Sequence, residues 1–187
     1  MPVVKFVPKR FEDARGWFSE TYQRDRFRAA GIAPDFVQDN QSYSAPAFTL
    51  RGIHFQTPPH AQAKLVRCLK GRIWDVAVDL RARSPTFGKW VAAALTSDGG
   101  EQLFVPAGFG HAFLTLEPDC EVAYKVDDFY APECDAGISW DDPDLAIDWP
   151  LDGGAPQLSD KDARLPALKD FSSPFPYDGR PLQPLED

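Results

Sequence analysis

From Lys64 to Val126 the chain keeps a period of two, and that period limits what it can fold into more than any other feature. In the run Arg72–Leu80, Trp74, Val76, Val78 and Leu80 project to one side and Ile73, Asp75, Ala77 and Asp79 to the other. Such alternation is the signature of a β-strand, here with a partly polar second face. The same reading predicts strands over Lys64–Lys70, Trp90–Leu95, Gln102–Val105, Ala112–Leu116 and Glu121–Val126. Turn formers separate them: Lys70-Gly71, Ser84-Pro85, Asp98-Gly99-Gly100, Pro106-Ala107-Gly108 and Glu117-Pro118-Asp119. Many short strands at this spacing make a sandwich or a barrel. Helices are few: one over Thr21–Ala30, stopped by Gly31, and one opening at Ser159 as N-cap. After Leu165 come Pro166, Pro174, Pro176, Pro181 and Pro184, the pattern of an extended tail along the domain or of disorder. The 187 residues fit an all-β domain over 1–165 followed by a Pro-rich tail over 166–187.

Charge removes two classes of partner. A net charge of −8 argues against nucleic acid and against a membrane surface, both of which need a basic face. It leaves room for one anionic small molecule in a local basic pocket. No apolar run is long enough to span a bilayer, and Met1-Pro2-Val3-Val4-Lys5 enters strand-like sequence without the pattern of a signal peptide. Cys68, Cys120 and Cys134 are odd in number and lack metal or redox spacing. They read as free thiols, so a cytoplasmic protein is expected.

Acid–base chemistry has few places to reside, because the histidines are only His54, His60 and His111. Lys64 shares a strand face with Val66 and Cys68, and Tyr124 shares one with Val122 and Val126. If those faces line a barrel, a lysine and a tyrosine point inward with His54. A buried lysine is costly unless it meets an anion or a developing negative charge. The plainer alternatives are a Lys64 that stays wet at its strand start and a Tyr124 that is an ordinary core tyrosine.

The run Val105-Pro106-Ala107-Gly108-Phe109-Gly110-His111 resembles the second motif of the cupin barrels, and His54-Phe55-Gln56 with Lys64 and Gly71 resembles the first. In metal-binding cupins these positions carry His-x-His and an acidic ligand. Here Gln56 replaces one histidine and Lys64 the acidic ligand. A cation at that place opposes a divalent ion by about 4 kcal/mol per pair of unit charges at ~4 Å. The resemblance therefore implies the cupin-like jelly-roll barrel without a metal.

Over roughly residues 5–165 the chain resembles, more closely, one metal-free cupin family, the dTDP-4-dehydrorhamnose 3,5-epimerases. The resemblance is carried by Phe11-Glu12-Asp13-Ala14-Arg15-Gly16, Phe36-Val37-Gln38-Asp39-Asn40, Leu50-Arg51-Gly52-Ile53-His54-Phe55-Gln56 and Ala61-Gln62-Ala63-Lys64-Leu65-Val66-Arg67. It continues through Trp74–Asp79, Ser84–Gly88, Tyr124-Lys125, Tyr130-Ala131-Pro132, Trp140–Pro143 and Leu158–Asp162. Each run is weak alone; the ordered set is specific. It implies inversion at C3 and C5 of dTDP-4-dehydro-6-deoxy-D-glucose, next to the C4 ketone, with no cofactor. It implies His54 as base, Asp162 as its orienting carboxylate, Lys64 on the C4 oxygen and Tyr124 as acid on the opposite face. Arg51 and Arg15 match positions that contact the nucleotide or its diphosphate, and Tyr130 the aromatic that stacks on thymine. Glu20, Gln38, Asp39, Asn40, His111 and Lys161 match other substrate contacts, as does Asp135, where the family often has glutamate. A homodimer is implied, with the N-terminal segment reaching the partner's site and Val3–Val7 as an exchangeable edge strand. The alternatives are an enzyme of the same fold that inverts one carbon, a metal-dependent oxygenase using His54, His60 and His111, and a non-catalytic binding module.

Overall fold

The alternating runs become strands at the expected places. The structure, a computed structural model, describes residues 1–185; Glu186 and Asp187, the end of the expected tail, lie outside the described residues. In chain order the strands are β1 (Val4–Phe6), β2 (Arg10–Asp13), β3 (Gly16–Ser19), β4 (Gln38–Ser44), β5 (Leu50–Gln56), β6 (Lys64–Lys70), β7 (Arg72–Asp79), β8 (Trp90–Thr96), β9 (Gln102–Val105), β10 (Phe109–Thr115), β11 (Cys120–Val126) and β12 (Asp135–Gly137). One sheet runs β1-β9-β6-β11-β4 and a second runs β12-β5-β10-β7-β8, each antiparallel throughout. They face each other as the expected cupin-like barrel, while β2 and β3 form a separate hairpin whose turn holds Arg15.

Helix is scarce. The helix expected over Thr21–Ala30 is shorter, α1 (Arg24–Ala29), because the Gln23 side chain caps it by accepting from the Arg26 amide at 2.6 Å. Gly31 follows at φ +83, a left-handed turn that favours glycine. At Ser159 a single 3-10 turn forms over Asp162–Arg164, with the serine hydroxyl accepting from the Asp162 amide at 3.1 Å. Among the described residues no helix is long and apolar enough to cross a membrane.

The interior between the sheets is filled by Val66 and Cys68 of β6, Val122 of β11, Leu103 and Val105 of β9, Ile73 and Ala77 of β7, and Phe113 of β10. Lys64 and Tyr124 share faces with these residues, so the strand period carries both inward. On β7 the mixed face lines the barrel, which brings Asp75 inside. The apolar face of Val76, Val78 and Leu80 packs outward, with Ile53 and Phe55, against Ile138, Leu145, Leu168 and Phe175. The Pro-rich stretch is thus an outer wall for the second sheet. Asp142 secures it, accepting from the Leu168 amide at 2.7 Å as well as from Asp144 and Leu145. Arg81 adds a second tie, bridging Asp79 at 2.8 Å and Asp178 at 2.7 Å. The other sheet is covered at one end by the N-terminal segment and α1, through Phe6, Tyr22, Phe27 and Phe36 on Leu65 and Phe104.

One glycine matters for the site. Gly52 sits two residues before His54 at φ +123, and a Cβ there would lie 2.6 Å from both the Ala112 Cβ and the His111 carbonyl. Only glycine lets β5 press against β10 at this point, and that closeness sets His54 opposite His111 in the register.

Candidate active site

A cavity of about 380 Å³ opens between the sheets at the end where Lys64, His54 and Tyr124 lie. Its walls carry Gln38, Asn40, Tyr130, Asp135 and Lys161 as well. His54 comes from the second sheet and Lys64 and Tyr124 from the first, so base and acid candidates stand on facing walls.

His54 is oriented from behind. Its Nε2 lies 2.5 Å from Oδ1 of Asp162, a carboxylate almost wholly buried. Burial pushes the Asp162 carboxyl up, but the bond to His54, the charge there and the Ser159 hydroxyl outweigh it, and Asp162 ends below the usual carboxylate range. An ionised Asp162 accepts a hydrogen bond from the Nε2–H, which leaves the lone pair on Nδ1, the arrangement a general base needs.

Lys64 is buried, and its Nζ donates to the His54 carbonyl at 3.3 Å and lies 6.0 Å from the centre of the Tyr124 ring. Burial lowers its pKa to about 8, against the opposing pull of Asp75 and Asp135; Lys161 adds to the lowering. The wet-rim alternative for Lys64 is thereby removed. Tyr124 is pushed up by burial, Arg51 opposing and Asp135 adding, so its hydroxyl keeps its proton at neutral pH and can donate it.

The rim is a linked set. Lys161 reaches Asp135 at 2.5 Å, and the Tyr130 hydroxyl donates to the same carboxylate oxygen at 3.2 Å. The Gln38 side chain accepts from the Tyr130 amide at 3.2 Å and donates to Asn40 at 3.0 Å.

Five matched residues stand outside the cavity wall. Asp39 alternates with Gln38 and Asn40, so it faces away from the cavity and pairs with Lys125 at 2.7 Å. His111 is buried below the cavity, its Nε2 between the two oxygens of Asp75 at 3.0 and 2.9 Å. Arg15 lies exposed at the hairpin turn beside Asp13, and Glu20 pairs with Arg26 at 2.9 Å. Arg51 stays close enough for its charge to act on Tyr124, with its guanidinium held by the Tyr43 carbonyl at 3.0 Å and Ser44 at 3.3 Å.

Three residues at the site have contacts that the pattern reading does not give. Gln56, in the place of a cupin metal ligand, is a bracket: its amide donates to the His60 and Phe129 carbonyls at 2.7 and 3.2 Å and accepts from Ala131 at 2.8 Å, fixing the loop that carries Tyr130. Gln62 lines the cavity with its amide tied to the Asp128 carbonyl at 2.7 Å. Asp75 underlies the floor, and its position among apolar β7 neighbours was the one available signal. The metal alternative requires His54, His60 and His111 to converge; among the described residues no three His, Cys, Asp or Glu side chains do so.

Comparison with known proteins gives a consistent picture. The family model described as dTDP-4-dehydrorhamnose 3,5-epimerase matches residues 2–170. A dTDP-4-dehydrorhamnose 3,5-epimerase from Sinorhizobium fredii is 48% identical over 175 residues, covering 93% of this chain and 89% of the relative. The Bacillus anthracis dTDP-4-dehydrorhamnose 3,5-epimerase with TDP and PPi bound superposes with a TM-score of 0.86 at 48% identity, covering 89% of this chain and 94% of the other. The Legionella pneumophila dTDP-6-deoxy-D-glucose-3,5-epimerase in complex with dTDP-4-keto-L-rhamnose gives a TM-score of 0.86 at 44% identity, covering 91% of this chain and 89% of the other.

Proposed function

The chain belongs to the dTDP-4-dehydrorhamnose 3,5-epimerase family, and on that premise we propose that the cavity binds dTDP-4-dehydro-6-deoxy-D-glucose and inverts C3 and C5 to give dTDP-4-dehydro-L-rhamnose. The observation that carries the reading is an imidazole and a phenol on facing walls of one cavity, with a buried lysine amine close to both. A ketone at C4 acidifies the hydrogens on both neighbouring carbons. His54, through Nδ1, takes one of them, and Asp162 supports the imidazolium that forms. Negative charge moves to the C4 oxygen, where the Lys64 ammonium stabilises it. Tyr124 returns a proton from the opposite face, and the configuration inverts. Repeating the sequence at the second carbon needs only that the ring present it to the same base. Lys161 and Arg51 supply positive charge for the diphosphate, and Tyr130 an aromatic face for the base.

The test is turnover of dTDP-4-dehydro-6-deoxyglucose in deuterated water with proton NMR of the product after trapping by a reductase. Deuterium at both C3 and C5 of an L-rhamno product is expected. Exchange at one carbon alone identifies the single-inversion alternative, and exchange at neither overturns the reading.

The working unit in this proposal is a homodimer. Hairpin β2–β3 exposes Phe11, Trp17 and Phe18, and the outer face of the first sheet exposes Tyr43 and Leu69. These exposed apolar side chains support a partner surface, and the family resemblance makes the partner a second copy. Arg15 and Glu20, on and beside that hairpin and away from their own cavity, would then serve the partner's. Light scattering should give the mass of two chains; a monomer at micromolar concentration would rule the dimer out.

A further inference from the structure

Asp75 is wholly buried on the barrel-lining face of β7, and none of the steps above uses it. Among the described residues its side chain has a single hydrogen-bond partner, His111. His54, His111 and Asp75 lie on neighbouring strands of the second sheet, with His111 opposite His54 and Asp75 opposite Phe113, two residues along from His111. Lys64 points into the same interior from the first sheet, and among the described residues its only hydrogen bond is to a neutral carbonyl. A buried carboxylate and a buried lysine on facing sheets therefore border the same barrel interior. The other carboxylate acting on Lys64, Asp135, is already bound to Lys161 at 2.5 Å.

We propose that Asp75, held in place by His111, is the counter-anion that keeps Lys64 an ammonium, and so is a positioning residue for the oxyanion of the reaction. What the ammonium is for rests on the epimerase reading; the charge coupling does not. Burial holds the His111 imidazole below its ordinary pKa, against the pull of Asp75, with Lys64 and His54 adding to the lowering. A neutral His111 donates its Nε2 hydrogen to the carboxylate and adds no charge. That leaves Lys64 as the cation for Asp75, whose burial pushes its own pKa up against the pull of His111 and Lys64. In this state the three groups sum to zero and each keeps its hydrogen bond.

The test reads Lys64 directly. Full-length protein carrying lysine labelled with ¹³C at Cε gives a titration curve for Lys64, assigned by its absence in Lys64→Met. The wild-type midpoint should lie at about 8. In Asp75→Asn it should fall by about one unit, a roughly tenfold loss in the ammonium-to-amine ratio at a given pH. The alkaline limb of kcat/KM should move with it. His111→Gln, whose amide still donates to Asp75, should keep most of the wild-type midpoint. Coupling is reciprocal: in Lys64→Met the His111–Asp75 pair should take up a proton at higher pH than in the wild type, read from the ¹⁵N shifts of the His111 ring. An unchanged Lys64 midpoint in Asp75→Asn overturns the proposal, and if that variant does not fold, an unchanged His111 titration in Lys64→Met does so. Both titrations are made without substrate. Failure of the epimerase reading would show separately, as wild-type protein that exchanges neither C3 nor C5.

Discussion

His54→Asn is expected to lower turnover by about 10²- to 10⁴-fold and to remove deuterium incorporation at C3 and C5 together. Both inversions begin with proton abstraction by the same base, so one substitution should silence both carbons. Binding of dTDP should survive, because the groups proposed for the nucleotide, Arg51, Lys161 and Tyr130, are not anchored on the His54 ring. The companion variant Asp162→Asn separates a base from a space-filler. Its amide can donate to Nε2, which moves the ring proton to Nδ1 and removes the lone pair that faces the sugar. The fold loses a buried charge and keeps a hydrogen bond, so its melting temperature should hold while exchange falls almost as far as in His54→Asn. Retained exchange at both carbons in either variant would show that His54 is not the base.

Much of this arrangement was legible in the sequence, for a definite reason. Strand period is local, and where a strand has one apolar face the alternation fixes which residues go inward. Lys64 with Val66 and Cys68, and Tyr124 with Val122, are placed by that rule alone. The rule fails where both faces are buried. On β7 the apolar run Trp74, Val76, Val78 looks like the barrel lining, yet it packs outward because Leu168 and Phe175 cover it, a long-range fact that periodicity does not encode. It fails again on β4, where Gln38–Ser44 has too little apolar character to announce a strand. There the family resemblance takes Gln38-Asp39-Asn40 as one contact segment, whereas the strand divides it and sends Asp39 to the far side. The Asp162–His54 contact joins residues 108 apart in sequence, and only the resemblance brings it within reach. His111 shows the converse. A polar residue matched to a substrate-contact position is sealed beneath the cavity with Asp75, where the fold uses it as a hydrogen-bond donor.

Lys64→Met is expected to lower kcat by about 10²- to 10³-fold, the loss of about 3–4 kcal/mol typical of removing one oxyanion donor. KM should change far less, since the ammonium meets a neutral ketone in the ground state and an oxyanion only as the proton leaves. The pH dependence gives a sharper signature. A lysine held near 8 by burial is mostly ammonium at pH 7 and only about one-tenth ammonium at pH 9. Activity in the wild type should therefore fall on the alkaline side through the Lys64 midpoint, the direction set by loss of the cationic form. In Lys64→Met the small remaining activity should lack that limb, because the group that titrates is gone. Tyr124, raised by burial, would yield a limb at higher pH than Lys64, so the position of the fall distinguishes the two. A Lys64→Met enzyme with wild-type kcat, or one that keeps the limb near pH 8, would place the oxyanion stabiliser on another residue. The sequence position that a metal-binding cupin gives to an acidic ligand is, in this reading, where the chain has put its own cation. The barrel then stabilises the same kind of developing negative charge that a metal would have met, with a side chain whose charge depends on Asp75 beneath it.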